Sequence, residues 1–192
     1  MNHIRRLAVY CGSATGSEAV FADATRATAR AMTAAGVDLV YGGGRLGLMG
    51  LIADSVLALG GKVYGVIPEA LVELEVAHTG VTELHKVANM HERKARMTDL
   101  ADAFLALPGG IGTLDELFEA WSWNALGYHA KPFCLLNVEG FWDGLIEFIE
   151  HAHQSGFLSQ RRRAQLLVAT TPEEALKLLD EAAAAATQGM VW

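Results

Sequence analysis

Positive charge, cysteine and long apolar runs are all scarce in this sequence of 192 residues. Its 15 Lys and Arg are outnumbered by 22 Asp and Glu, which gives a formal net charge of -7. Broad binding to the phosphates of nucleic acid needs a basic face, so we expect no nucleic-acid partner. No stretch approaches a membrane span of roughly 20 apolar residues, and the run Leu7–Cys11 is too short for a secretion signal. We therefore expect no membrane partner.

The residue types that bind metals or act as nucleophiles are few and scattered. Cys11 and Cys134 lie in apolar, strand-like runs, and we interpret them as buried, reduced thiols of a cytoplasmic protein. The histidines have no zinc spacing, because His151 and His153 would point to different faces of a helix. Neither a P-loop nor the nucleophile elbow of serine hydrolases is present. The sequence thus predicts no metal site and a chemistry that needs no cofactor.

Short apolar runs alternate with longer helical segments along the chain. This alternation predicts an α/β fold, in which a parallel sheet carries helices on both faces. Without a Pro/Ser-rich linker or an internal repeat, we expect a single domain over residues 1–192, with a tail at Ala182–Trp192 that either frays or docks on a partner. The predicted strands are Leu7–Cys11, Val37–Tyr41, Val63–Ile67, Ala103–Leu107, Phe133–Asn137 and Gln165–Ala169. The predicted helices are Glu18–Ala35, Leu48–Leu59, Met90–Ala101, Leu114–Leu126, Phe141–His153 and Pro172–Ala186.

Glycine gathers where three of these strands end. Glycine-rich turns follow the first strand at Gly12–Gly16, the second at Gly42–Gly47 and the fourth at Gly109–Gly112. The carboxyl ends of parallel strands share one rim of the sheet, where ligands bind. A single glycine turn is ordinary loop chemistry, but three on one rim indicate backbone amides that approach an anionic ligand.

The turn Gly109–Gly112 and the residues after it permit two interpretations. The free N–H groups at the positive end of a helix favour a phosphate. Alternatively, Thr113 is the N-cap of that helix and Glu116 completes a capping box. In the functional interpretation, Glu116 stabilises the positive charge that glycosidic cleavage builds on a sugar. The spacing alone chooses neither between these interpretations nor between Glu116 and its neighbours Asp115 and Glu119.

A cationic motif runs from Asn89 to Met97. Asn89 is typical of an N-cap. Arg93 is placed to face the rim, where it would clamp a phosphate or hold Glu116 in its charged form. Lys94 either adds positive charge to the same anion site or is simply solvated.

The turn Gly42–Gly47 also matches the G-x-G-x-x-G dinucleotide fingerprint, and Glu69 follows at about the twenty residues expected of a ribose-binding acid. These features would indicate a nicotinamide-dependent oxidoreductase. The fingerprint, however, follows the second strand and not the first, and the chain barely has room for a substrate domain. We therefore favour a phosphate or ribose loop.

The motifs together resemble those of the LONELY GUY (LOG) family, the cytokinin riboside 5'-monophosphate phosphoribohydrolases. Leu107–Glu116 resembles the family's P-G-G-x-G-T-x-x-E signature, and Met90–Lys94 resembles its second motif. Further similar segments are Tyr41–Gly50, Leu126–Pro132 and Leu136–Gly140.

This resemblance implies a Rossmann-like homodimer that hydrolyses the N-glycosidic bond of AMP-type nucleotides, with Arg93 and Glu116 as the catalytic pair. The family's substrates are N6-substituted, and the sequence leaves the choice between plain AMP and an N6-modified nucleotide open. From the resemblance and the glycine turns together, the substrate contacts predicted are Ser13, Gly43, Gly44, Glu75, Met90, Arg93, Lys94, Gly109, Gly110, Ile111, Gly112, Thr113, Glu116 and Ser122. The helix Leu114–Leu126, with Trp121 and Trp123, is apolar on more than one face, which also favours a homodimer.

Two alternatives from other classes stay open: a non-catalytic nucleotide- or cofactor-binding module of the same fold, and the oxidoreductase. The joint presence of Arg93 and Glu116 favours the enzyme. Relatives have also carried the label lysine decarboxylase. That chemistry needs a pyridoxal phosphate Schiff-base lysine with a pyridinium partner, and Lys94 alone does not make such a site.

Overall fold

One parallel sheet organises the protein. Within residues 3–73 and 76–188, which the computed structural model describes, the strands are β1 (Arg6–Tyr10), β2 (Asp38–Tyr41), β3 (Val63–Pro68), β4 (Glu83–Val87), β5 (Ala103–Ala106), β6 (Phe133–Leu136) and β7 (Leu166–Ala169). Their order across the sheet is β4-β3-β2-β1-β5-β6-β7, and the neighbouring strands pair in parallel.

Helices cover both faces of this sheet. They are α1 (Ala19–Ala34), α2 (Gly47–Ala58), α3 (Glu69–Glu73), α4 (Met90–Leu100), α5 (Ile111–Leu126), α6 (Asp143–Gln154), α7 (Gln160–Arg163) and α8 (Pro172–Gln188). Met32 of α1 and Ile52 of α2 are buried in the core on one face. Met97 of α4 and Leu117 of α5 are buried in the core on the other. The predicted Rossmann-like α/β fold is therefore confirmed.

The central strand β1 explains why most of the sheet could be predicted. Its alternate residues serve the two cores: Leu7 and Val9 belong to the first, Ala8 and Tyr10 to the second. All four are at most 3% exposed. A strand that is buried on both faces is a continuous apolar run, and this is the pattern that predicted it.

Three elements, β4, α3 and α7, were not predicted; α7 spans four residues, which is too short to show helical periodicity. β4 lies at the edge of the sheet, where Glu83 and Lys86 are exposed. Charged residues on an edge strand discourage pairing with other chains, and they also interrupt the apolar run that identifies inner strands. α3 spans five residues and is too short to show helical periodicity.

At the other end of the chain, α8 continues to Gln188, so the first part of the predicted tail Ala182–Trp192 prolongs that helix. Residues 189–192 lie outside the described residues. Among the described residues, no helix combines the length and apolar character that crossing a membrane requires.

The strand order reverses beside β1, whose neighbours are β2 on one side and β5 on the other. Loops that follow the two central strands of such a sheet diverge and leave a crevice at the carboxyl rim. The loops Gly12–Gly16 and Pro108–Gly110 meet there, joined by a hydrogen bond of 3.1 Å from the N–H of Gly12 to the carbonyl of Pro108. Between them lies a cavity of about 280 Å³, which Phe21 and Phe141 also line.

Candidate active site

Arg93 enters the rim from a well-capped helix. The side chain of Asn89 accepts a hydrogen bond from the N–H of Glu92 at 2.9 Å, which confirms Asn89 as the N-cap of α4. The carboxylate of Glu92 in turn accepts from the N–H of Ala88 at 3.0 Å. These reciprocal bonds satisfy N–H groups at the helix start and fix the direction of its first turn, on which Arg93 lies.

The guanidinium group of Arg93 is held by the main chain at the ends of two strands. Its Nε donates to the carbonyl of Val66 at 3.2 Å, and its Nη2 donates to the carbonyl of Gly42 at 3.0 Å. Its Nη1 lies 3.7 Å from the sulfur of Met90. The residue is 7% exposed, so the rim contains a buried positive charge fixed against the ends of β2 and β3.

Glu116 faces this charge from the next helix. Its Oε1 lies 3.7 Å from Nη2 of Arg93, which is an ion pair without a hydrogen bond. The expectation that Thr113 caps α5 is wrong: Gly110 is the N-cap, in an extended conformation with no side-chain cap, and Thr113 is buried within the first turn. Because the helix begins earlier, the carboxylate of Glu116 points inward and does not close a capping box.

Burial decides the protonation of Glu116. Desolvation raises the pKa of this carboxyl from its ordinary value to about 7, although the positive charge of Arg93 lowers it. The cost of burying the charged form thus exceeds the attraction of Arg93. Glu116 therefore exchanges a proton near neutral pH, as a group in acid–base work does.

The neighbouring carboxylates serve another partner. Asp115 and Glu119, which are one helical turn apart, both pair with Nζ of Lys94; the distance to Asp115 is 3.0 Å. Burial lowers the pKa of Lys94, but the hydrogen bonds that its Nζ donates to Glu119 and Asp115 outweigh that effect and raise the pKa. The structure separates the three carboxylates of α5 by role: Glu116 meets Arg93, whereas the other two neutralise Lys94.

The start of α5 is open. The first backbone hydrogen bond of the helix runs from the N–H of Leu114 to the carbonyl of Gly110. Among the described residues, the N–H groups that precede Leu114 in the first turn have no partner within the helix. Ile111 is 86% exposed, and no protein atom lies within 4 Å of where a Cβ would stand at Gly110 or Gly112. Gly109, Gly110 and Ser13 line the cavity at the crevice. These predicted contacts lie together around one uncapped helix N-terminus, an arrangement that favours anions.

The second glycine turn is instead covered by the chain itself. The N–H of Arg45 donates to the carbonyl of Val76, and the N–H of His78 donates to that of Gly43, both at 2.8 Å. Gly44 bridges Ala77 in the same short antiparallel contact. This turn meets Arg93 and the segment 76–78, so the assignment of Gly43 and Gly44 to a ligand stays a prediction.

One of the remaining predicted contacts, Ser122, is not brought to this site. Ser122 is exposed on α5, where it lines a separate groove of about 290 Å³ with Phe118 and Phe148. Glu75 lies outside the described residues. Met90 is at the site, through its contact with Arg93.

Reasoning from the sequence missed the carbonyls that hold Arg93 and the aromatic rings that line the cavity at the crevice. The carbonyls of Gly42 and Val66 leave no side-chain signal. Phe21 and Phe141 line the cavity and meet edge to face, with ring centroids 5.5 Å apart. Each lies at or near the N-terminal end of a predicted helix, and this position was the signal that could have placed them at the rim.

The sequence is similar to those of known proteins over nearly its whole length. A family model described as "Possible lysine decarboxylase" matches residues 49–179. The chain is 46% identical over 191 residues to the cytokinin riboside 5'-monophosphate phosphoribohydrolase LOG of Oryza sativa subsp. japonica, covering 100% of this chain and 79% of that relative. It is 44% identical over 180 residues to the cytokinin riboside 5'-monophosphate phosphoribohydrolase LOG2 of Arabidopsis thaliana, covering 94% and 84% of the two chains.

A solved structure extends the comparison of the fold. The molybdenum cofactor carrier protein from Chlamydomonas reinhardtii superposes with a TM-score of 0.70 at 17% identity, over 93% of this chain and 98% of that one. At this identity the likeness concerns the fold alone.

Proposed function

Because the chain belongs to the LONELY GUY (LOG) family, we propose that it hydrolyses the N-glycosidic bond of AMP-type nucleotides, chiefly N6-substituted riboside 5'-monophosphates, to a free base and ribose 5-phosphate. The observation that carries the proposal is the buried pair of Arg93 and Glu116 beside the open N-terminus of α5. The relatives' names supply the reaction class, and this geometry supplies places for a phosphate and for a reacting sugar.

The 5'-phosphate is assigned to the start of α5. Free N–H groups of Gly110 to Thr113 and the positive end of the helix dipole favour an anion there. Ser13 contributes a hydroxyl from the loop after β1, on the other side of the crevice. This placement needs no basic surface, which is consistent with a net charge of -7.

Glu116 is assigned to the ribose. When the bond between C1' and the base nitrogen breaks, its electron pair leaves with the base and positive charge develops on the sugar. A carboxylate at that position stabilises this charge and orients the water that adds to C1', while the base gains a proton. Since the pKa of Glu116 is about 7, we expect kcat/KM to rise with pH through that value as the carboxylate forms.

Arg93 is assigned the role of a fixed charge. Its hydrogen bonds to two main-chain carbonyls hold the guanidinium in place, and its charge lowers the pKa of Glu116. Without that charge, less of Glu116 would be ionised near neutral pH.

The geometry argues against the decarboxylase suggested by the family model's description. A lysine that forms a Schiff base must lose its proton, and enzymes favour this by lowering its pKa. The pKa of Lys94 is raised, because Glu119 and Asp115 stabilise its charged form against the effect of burial. It is therefore a poor nucleophile.

Release of free base tests the proposal. Purified protein is incubated separately with AMP and with isopentenyladenosine monophosphate, and the products are separated by chromatography. We expect free base and ribose 5-phosphate in equal amounts, with the N6-substituted substrate preferred. A folded protein that binds the nucleotide but releases no base would instead be a carrier module.

Saturable NAD binding would favour the oxidoreductase. The hydrogen bonds of Gly43 and Arg45 to residues 76–78 argue against it, because they cover the turn that would bind the dinucleotide.

We also propose a homodimer formed through the groove between α5 and α6. Phe118, Phe148 and Phe157 are 37%, 63% and 91% exposed there, and a contiguous apolar patch of this kind marks an interface. Light scattering at working concentration should give twice the mass of the chain, and replacement of Phe148 by Glu should shift it to the monomer.

The cytoplasm is the compartment we propose. Cys11 and Cys134 are free and buried, and burial raises the pKa of both thiols. Unpaired thiols of this kind suit a reducing compartment.

A further inference from the structure

The conformation of Arg93 depends on a residue that has no side chain. A Cβ added at Gly42 would overlap Nη2 of Arg93 and would lie 2.7 Å from its Cζ and 2.8 Å from Cε of Met49. Contacts under 3.0 Å do not occur for real Cβ atoms, so one of the groups would have to move. The space that a side chain at position 42 would occupy is thus the space that holds the guanidinium.

The groups that would move are the ends of flexible side chains. Gly42 is not among the glycines with positive φ, so an alanine there fits the backbone. Its carbonyl, which accepts from Nη2, is present in any residue. An added methyl group would therefore displace Arg93 from Glu116 while the strand and the turn keep their path.

We propose that Gly42 is a positioning residue, which acts through Arg93 by leaving room for the guanidinium against the ends of β2 and β3. This inference rests on the proposed function and changes the meaning of the glycine turn after β2. Glycine is required in that turn so that the guanidinium of Arg93 can pack there, whereas the glycines at the start of α5 leave room for the anionic group of the ligand.

The test is a double-mutant cycle on the full-length protein. Gly42→Ala should lower kcat by about 10²-fold, as a displacement of about 1 Å at a reacting centre does. In a background of Arg93→Lys, which lacks the overlapping Nη2 and Cζ atoms, Gly42→Ala should have little further effect. Gly144→Ala in α6, where a Cβ meets no atom within 4 Å, is the matched control and should leave kcat unchanged.

Each outcome decides the inference. Normal kcat in Gly42→Ala, or the same loss in both backgrounds, would overturn it. If Gly42→Ala fails to fold, folding restored by adding Arg93→Lys would support the inference, and failure of the double variant to fold would refute it.

A readout without substrate separates this inference from the proposed function. The carboxyl band of Glu116 is followed against pH by infrared spectroscopy, with Glu116→Gln as the blank. Because the charge of Arg93 lowers the pKa of Glu116, Gly42→Ala should raise that pKa while Gly144→Ala leaves it unchanged. A shifted pKa in a protein that releases no base would leave the positioning role standing and remove the enzymatic one.

Discussion

The two glycine-rich turns beside the pair of Arg93 and Glu116 look alike in sequence but differ in what occupies the space around them. Side chains at Gly42 and Gly44 would meet Arg93 and Met49, and the main chain there pairs with residues 76–78. Side chains at Gly110 and Gly112 would meet nothing. Glycine thus has two uses at one rim: at Gly42 it makes room for the side chain of Arg93, and at Gly110 and Gly112 it leaves the start of α5 uncovered.

The helix starts beside these turns differ in the same way. α4 begins with the side-chain caps of Asn89 and Glu92, which satisfy N–H groups of that end. α5 begins at Gly110, with no side-chain cap. An anion can therefore bind the amides of α5 without displacing a protein group, which supports the proposal that the phosphate binds at α5 and not at α4.

The largest expected effect comes from the carboxylate next to the open turn. Glu116→Gln removes both its charge and its proton exchange, and it should slow base release by roughly 10²–10⁴-fold. Chromatography of the released base under saturating substrate measures this. Glu150→Gln in α6 is the matched control. Turnover near that of the wild type would show that the open turn faces some other catalytic group.

The same substitution should stabilise the protein in alkaline solution. The pKa of Glu116 in the folded state, about 7, exceeds its ordinary value, so the unfolded chain loses this proton first as pH rises and stability falls between the two values. At one pKa unit per roughly 1.4 kcal/mol, Glu116→Gln should raise the free energy of unfolding by about 3 kcal/mol at pH 8.

At about pH 3, well below the ordinary pKa of 4.5, Glu116 is protonated in both states, so the difference between variant and wild type should disappear. Denaturant melts at about pH 3 and about pH 8 provide the comparison. An equal shift at both values would mean that packing, and not the buried charge, separates the two proteins.

The open turn itself predicts opposite changes in stability and in binding. Gly112 lies within the first turn of α5 and has a free position for a Cβ, so Gly112→Ala should stabilise that helix by up to about 1 kcal/mol. The added methyl group would occupy space assigned to the phosphate, and KM should rise about tenfold with little change in kcat. Thermal melts and initial rates measure the two effects. A rise in stability with an unchanged KM would place the phosphate elsewhere.

What the sequence could predict follows from how local each signal is. β1 and β2 are continuous apolar runs, and the cap made by Asn89 joins residues within one helical turn. Both kinds of signal can therefore be recognised in the sequence. The motif from Thr113 to Glu116 matches a capping box equally well, and the spacing could not decide between the two interpretations; the structure does, because the N-cap of α5 is Gly110.

Contacts between different helices leave no such local signal. The spacing of residues in the sequence shows neither the ion pair of Arg93 with Glu116 nor the ion pairs of Lys94 with Asp115 and Glu119. Resemblance to a family supplied the first of these contacts, and the second became visible only in the fold. The sequence therefore predicted that Arg93 and Glu116 act as a pair, but it did not show that burial raises the pKa of Glu116.

The smallest expected effect concerns the capped N-terminus of α4. Asn89→Ala removes the side-chain acceptor for the N–H of Glu92 and should lower the free energy of unfolding by about 1 kcal/mol. Because the guanidinium of Arg93 stays bonded to the carbonyls of Val66 and Gly42, kcat should change less than twofold, on the order of a single weakened contact. Ser159→Ala, which uncaps the short helix α7, is the matched control for losing a cap away from the rim. Denaturant melts and initial rates on both variants provide the measurement. A large fall in kcat for Asn89→Ala would mean that the strand-end carbonyls do not hold Arg93 by themselves and that the cap of α4 shares in placing it.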